Sequence, residues 1–163
     1  MMSSIQLVLF LLLLCIREIS SCENGWESYD GHCYMFGDVK VSWAVASAIC
    51  KSYDNAHLAV IPNSHVDNFL RQLAMRYAYG HKEMIHYWLD GSDAVIEGDW
   101  IWTESGQRIS YTHWNHGEPS NSESGTDDCL AMHSQMGFRW DDLPCLYKAR
   151  FICEAGGHWT QLG

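Results

Sequence analysis

The chain has 163 residues, 47% hydrophobic and 13% aromatic, enough for one buried core and too apolar for a disordered or collagen-like polymer. Twenty acidic residues against 10 basic ones give a formal charge of −10, which excludes the basic face of a nucleic-acid binder and disfavours anionic membranes. Seven cysteines are an odd count, and many for a cytosolic protein. In chain order, the first feature is the apolar run Ile5 to Ile16. At about twelve residues it is short of the ~20 that span a bilayer. With Ser20 and Ser21 behind it, residues 1–21 are expected to be a secretory signal peptide, so the mature chain is expected to be extracellular, without membrane insertion. Cleavage removes Cys15 and leaves six thiols, Cys22, Cys33, Cys50, Cys129, Cys145 and Cys153, an even set that implies three disulfides. Sequence alone does not choose their pairing.

One domain, 22–154, fills the chain, followed by a short tail at 155–163. Trp26 to Tyr34 suggests a hairpin. Ser42 can cap a helix to about Tyr53, with Trp43, Ala46 and Cys50 on its inner face. His57 to Ile61 reads as a short buried strand stopped by Pro62. Ser64 can cap a second helix to about Tyr79, with Val66, Phe69, Leu70 and Leu73 at helical spacing. Helical periodicity is lost from Gly91 to Asp142. Short strands fit Ile101–Thr103, Cys129–His133, Gly137–Trp140 and Ala149–Cys153. The long connection Thr112–Asp127 is expected to be functional, since such loops are uncommon in compact domains. The fold class is α+β, two helices flanking small antiparallel sheets.

That loop region gathers oxygen ligands. Glu118 and Ser120 flank Pro119, Asp127 and Asp128 precede Cys129, and Asp141 and Asp142 precede Cys145, with Asp93 and Glu97 upstream. A Cys129–Cys145 bridge would bring the carboxylates together, and like charges that close repel unless a cation lies between them. Hard oxygens at this density suit Ca²⁺, which takes about 6–8 of them. Pro119 fixes φ between two of the ligands. A solvated acidic loop is the bland alternative.

These pieces, in order, resemble the C-type lectin family across nearly all of residues 22–154: GWESYDGHCY at 25–34, the helix with Trp43 and Cys50, YWLDGSD at 87–93, GDWIWTESG at 98–106, WNHGEPSN at 114–121, DDC at 127–129, WDDLPC at 140–145 and FICE at 151–154. The resemblance implies the long form of the lectin domain, with pairs Cys22–Cys33, Cys50–Cys153 and Cys129–Cys145. It implies a sugar-binding Ca²⁺ held by Glu118, Ser120, Asp127, Asp141 and Asp142, with Glu118, Ser120, Asp127 and Asp141 also bonding two neighbouring sugar hydroxyls. An auxiliary Ca²⁺ is implied at Asp93, Glu97, Asn121 and Asp128, the alternative being that Asp93 and Glu97 tie the loop by hydrogen bonds.

Two departures bear on the sugar. The family's mannose-type motif is Glu-Pro-Asn and its galactose-type Gln-Pro-Asp; this chain has Glu118-Pro119-Ser120. The family's Trp-Asn-Asp is here Trp140-Asp141-Asp142, an acceptor in place of an amide donor, which favours galactose-type over mannose-type recognition. The expected partners are terminal sugars of glycans or microbial surface polysaccharides, in innate immune recognition or agglutination, with multivalency through homo-oligomers. The alternatives are an acidic matrix protein acting in biomineralisation and a sugar-independent protein-binding domain.

Other residues take plainer readings. Trp88, Trp100 and Trp102 are expected in the core and Trp114 and Trp140 in packing beside the site. His116, near Glu118, is expected to be a solvated loop histidine. His81 and His86 have zinc-like spacing without a cysteine pair to complete it. Glu118 and Asp142 could be set as a glycosidase pair, but carboxylates crowding a cation are held ionised, whereas such an enzyme needs one protonated. No enzyme activity is expected.

Overall fold

The computed structural model describes residues 22–121 and 125–156. The proposed signal peptide and most of the tail lie outside the described residues. The strands are β1 (Glu27–Tyr29), β2 (His32–Val41), β3 (Ala56–Leu58), β4 (His86–Ser92), β5 (Ile101–Trp102), β6 (Gln107–Arg108), β7 (Cys129–His133), β8 (Arg139–Leu143) and β9 (Ala149–Gly156). The helices are α1 (Trp43–Lys51) and α2 (Ser64–Ala78), with a 3₁₀ turn at Ser134–Met136. The fold is the expected α+β class.

The hairpin of β1 and β2 does not stop at Tyr34. It continues to Val41 because β2 pairs antiparallel with β9 from His32↔Gly156 to Val41↔Ala149, with a register shift after Gly37. β9 also pairs with β3 and runs parallel to β4 at Tyr87↔Arg150 and Trp88↔Phe151. β4 is buried at every position, so it carries no polar/apolar alternation for a sequence reading to find. It pairs antiparallel with β7, and β7 with β8.

Both helices sit where their apolar spacing put them. On α1, Ala46 and Cys50 are buried and Trp43 donates its indole N–H to the Leu89 carbonyl at 2.8 Å. On α2, Val66, Leu70 and Leu73 are buried, and Phe69 stacks on Tyr29 at 4.1 Å. The cap of α2 is Asn63, one residue before the expected Ser64. Its side-chain oxygen accepts from the backbone N–H of His65 and of Val66, two donors that the first helical turn otherwise leaves orphaned. β8 begins at Arg139 rather than Gly137, because Gly137 and Phe138 both take left-handed φ, 64° and 57°, to close the turn after β7.

The tryptophans are core, as their segments suggested. Trp88 and Trp140 are fully buried, and Trp100 and Trp102 nearly so. The three disulfides are Cys22–Cys33, Cys50–Cys153 and Cys129–Cys145. The second ties α1 to β9 across 103 residues, and the third ties the start of β7 to the segment after β8. Among the described residues no helix is long and apolar enough to cross a membrane.

Candidate functional site

The long connection after β6 is held against β8. Trp114 forms an isolated parallel bridge with Trp140. The Trp140 N–H donates to the His113 carbonyl at 2.9 Å, and the Asn115 N–H to the Trp140 carbonyl at 2.8 Å. Trp114 packs edge-on against Trp100 and Trp140. From beneath, Asp67 of α2, almost fully buried, accepts from the Trp140 indole at 3.1 Å and lies 2.6 Å from His113 Nδ1. His113 is thus half-buried and engaged in positioning the loop. His116, three residues on, is exposed.

This anchoring delivers Glu118 to the end of β8. The Glu118 N–H donates to the Asn115 carbonyl at 3.1 Å, and the Glu118–Pro119 peptide is cis. Asp142 then takes the backbone N–H groups of Ser120 at 2.9 Å and Asn121 at 2.6 Å, one on each carboxylate oxygen. Three carboxylates, Glu118, Asp141 and Asp142, converge so that one oxygen of each lies within 4.8 Å of the others. Burial pushes the Glu118 carboxyl above its ordinary value. A hydrogen bond with Asp142 and the charges of Asp141 and Asp142 add to this, and a hydrogen bond from Ser120 opposes it. Glu118 Oε2 and Asn121 Oδ1 are buried with no hydrogen-bond partner among the described residues. Hard oxygens, mutual repulsion and an unpartnered buried carboxylate oxygen form a donor set that fits a divalent cation such as Ca²⁺.

Of the other ligands named from sequence, Ser120 is exposed and its hydroxyl bonds Glu118. Asp127 is buried just before β7 and is not one of the three converging carboxylates. The auxiliary set is looser. Asp93 is buried, its Oδ2 accepts from the Gly98 N–H at 2.9 Å, and its N–H donates to the Asp128 carbonyl at 3.3 Å. Burial raises its carboxyl, with the charges of Glu97 and Asp128 adding to it. Its Oδ1 has no partner among the described residues, and Glu97 is exposed. Asp93 therefore does tie its loop by a hydrogen bond, and one of its oxygens remains over.

Sequence reasoning did not see the third cluster. His86, His133 and Asp141 bring one ligand atom each within 4.8 Å. Burial, reinforced by the neighbouring His86, lowers the His133 pKa against the pull of Asp141. His86 was marked in the sequence only by its spacing from His81, whereas the fold pairs it with His133, on a strand far along the chain.

Comparison with known proteins gives a consistent family. Residues 39–155 match the family model described as Lectin C-type domain. The chain is 38% identical over 134 residues to perlucin of Haliotis laevigata, covering 82% of each. Human lithostathine superposes with a TM-score of 0.74 at 27% identity, covering 83% of this chain and 91% of that one. A Ca²⁺-dependent type II antifreeze protein, in its Ca²⁺-free form, superposes with a TM-score of 0.69 at 28% identity, covering 82% and 98%.

Proposed function

We propose that this chain, which belongs to the C-type lectin domain family, is a secreted lectin that binds a terminal sugar through Ca²⁺ and performs no chemistry on it. The convergence of Glu118, Asp141 and Asp142, with one buried Glu118 oxygen unpartnered, carries the reading. The similarity to a Ca²⁺-dependent protein of the same fold supports it. In this reading Glu118, Ser120, Asp127, Asp141 and Asp142 hold the ion, and Asp93, Glu97, Asn121 and Asp128 hold an auxiliary one.

When bound, Ca²⁺ supplies open coordination positions for two sugar hydroxyls. Glu118, Asp127 and Asp141 accept the protons of those hydroxyls, and the Ser120 hydroxyl can accept from them or donate to them. Carboxylate acceptors are stronger than neutral ones and set which hydroxyl geometry is bound. Asp142 also accepts one backbone N–H on each oxygen, from Ser120 and Asn121, so it fixes the loop while each oxygen keeps a lone pair for the ion. Asp141, an acceptor where the mannose-type pattern has an amide, favours galactose-type hydroxyls. One shallow site binds weakly, so recognition of microbial glycans or agglutination needs several copies.

A glycan array with and without EDTA tests this. The expected result is chelator-sensitive binding to galactose-terminated glycans, lost in Glu118→Gln while the near-ultraviolet circular dichroism is kept. Chelator-sensitive binding to mannans alone would reverse the sugar assignment. Retention on a calcium mineral that no monosaccharide competes away would assign the acidic matrix role instead.

A further inference from the structure

We propose a second metal site, of zinc type, built by His86, His133 and Asp141 on the face of the sheet made by β4, β7 and β8. The register puts all three on one face. His86 is directly opposite His133, Ala131 is two residues before His133, and Ala131 is opposite Asp141. Three paired strands therefore hold the ligands, and no loop has to close to assemble them.

The spacing is that of a first coordination shell. His86 Nε2 and His133 Nδ1 lie 3.6 and 3.3 Å from the same oxygen, Asp141 Oδ2. Tetrahedral zinc with bonds of about 2.0–2.1 Å needs ligand atoms roughly 3.3–3.4 Å apart. The same distances are poor for direct hydrogen bonds, which favour about 2.7–3.2 Å for N–H to O. Both imidazoles converge on this single carboxylate oxygen. The rings stack with centroids 4.4 Å apart, His86 is 5% exposed, and His133 Nε2 is buried with no hydrogen-bond partner among the described residues. One buried ring nitrogen of the cluster is thus unpaired where buried polar groups are normally partnered, and the contacts to Asp141 are long for hydrogen bonds.

Access and charge agree with a metal. The side chains of His133 and Asp141 are 12% and 15% exposed, which leaves one side of the triangle to water as a fourth ligand. Two neutral imidazoles and one carboxylate carry a single negative charge, suited to a divalent ion. Imidazole nitrogen selects zinc and its transition-metal neighbours over calcium. The sugar-site reading uses neither histidine, and Asp141 is the one residue common to both groups.

The test uses the full mature chain, saturated with Ca²⁺, and titrates it with Zn²⁺ by calorimetry and with Co²⁺ as a visible-absorption reporter. The expected result is one Zn²⁺ per chain, a Co²⁺ spectrum of tetrahedral intensity, and displacement of Co²⁺ by Zn²⁺. His133→Gln weakens Zn²⁺ binding about 100-fold, in line with losses at metal shells, and leaves Ca²⁺-dependent sugar retention in place. His81→Gln, outside the cluster, binds as the parent does. Absence of a tetrahedral Co²⁺ spectrum in the parent protein overturns the site without any variant, as does unchanged Zn²⁺ affinity in a folded His133→Gln. Loss of sugar binding alone leaves the zinc result readable, so the two readings fail separately.

Discussion

Glu154 and Glu118 are both withdrawn from solvent, yet their partners differ. Glu154 is buried and fully engaged: Oε2 accepts the Val60 N–H at 2.8 Å and Oε1 meets His32 Nδ1 at 2.8 Å. The hydrogen bond to Glu154 holds the His32 pKa above its ordinary 6.5, against the opposing effect of burial. The folded state therefore favours protonated His32. That contribution is complete below 6.5 and is lost as pH rises through the raised value. His32 is half exposed, so solvent screening limits the effect to about 0.2–1 kcal/mol. Urea unfolding at about pH 6 and about pH 8 should show the parent losing that much more stability than His32→Gln; equal losses would remove the pair from the account. Ser120 permits a second prediction at this scale. It is exposed, and its hydroxyl serves Glu118. Ser120→Asn adds the amide donor of the mannose-type motif at no cost in burial. Array binding should move toward mannose by about tenfold, the worth of one hydrogen bond to a charged or polar partner. An unchanged galactose-to-mannose ratio would mean that position 120 does not select the sugar.

At the scale of elements, strand β4 sets a tight tolerance. A Cβ built on Gly91 would lie 2.6 Å from Leu130 Cδ2, 2.9 Å from Leu130 Cβ and 3.1 Å from Ile109 Cδ1. Gly91→Ala should cost about 1–3 kcal/mol by overpacking β4 against β7. Gly156→Ala, at the end of β9 with nothing within 4 Å, should be close to neutral in the same urea titration. Equal midpoints for the two would show that Leu130 yields freely. The same strand marks the boundary of what a sequence can show. The helices were legible because Val66, Leu70 and Leu73 repeat at helical spacing, a local signal. The carboxylates were legible as a set because they cluster around Pro119, Cys129 and Cys145. β4 was legible only as a motif fragment, since a strand buried throughout has no alternation. The cross-strand facts were not legible at all. That His86 faces His133, that Trp114 bridges Trp140, and that Asp67 props His113 all depend on register between distant segments. For this reason the resemblance could name Glu118, Asp141 and Asp142, while nothing in the chain's order pointed to the histidine cluster beside them.

For the molecule as a whole, two kinds of restraint act on different regions. Residues 90–142 carry eleven of the 20 acidic side chains against two arginines, so their mutual repulsion is concentrated around the proposed calcium loops. The scaffold beneath is tied covalently. Cys50–Cys153 spans 103 residues, and its loss is worth about 4–5 kcal/mol in the chain-entropy model. Cys22–Cys33 spans 11 residues and closes only the N-terminal hairpin, worth about 3 kcal/mol. Chelation and disulfide removal should therefore differ in kind. EDTA should lower the thermal midpoint, by about 2.7 kcal/mol of linkage when Ca²⁺ had been at a hundredfold its dissociation constant, and leave the far-ultraviolet spectrum of the strands and helices intact. Added monovalent salt should recover part of that loss, because screening over about 10 Å at 0.1 M relieves repulsion that no longer has a counterion. Replacing Cys50 and Cys153 by alanine should instead weaken the secondary structure itself, since α1 is released from β9, and should cost more than replacing Cys22 and Cys33. A chelated protein that loses its far-ultraviolet signal, or a Cys22/Cys33 variant less stable than the Cys50/Cys153 one, would show that the acidic loops or the N-terminal hairpin carry the fold. With the expected order, the disulfide-tied sheet holds the fold while the cation holds the loops.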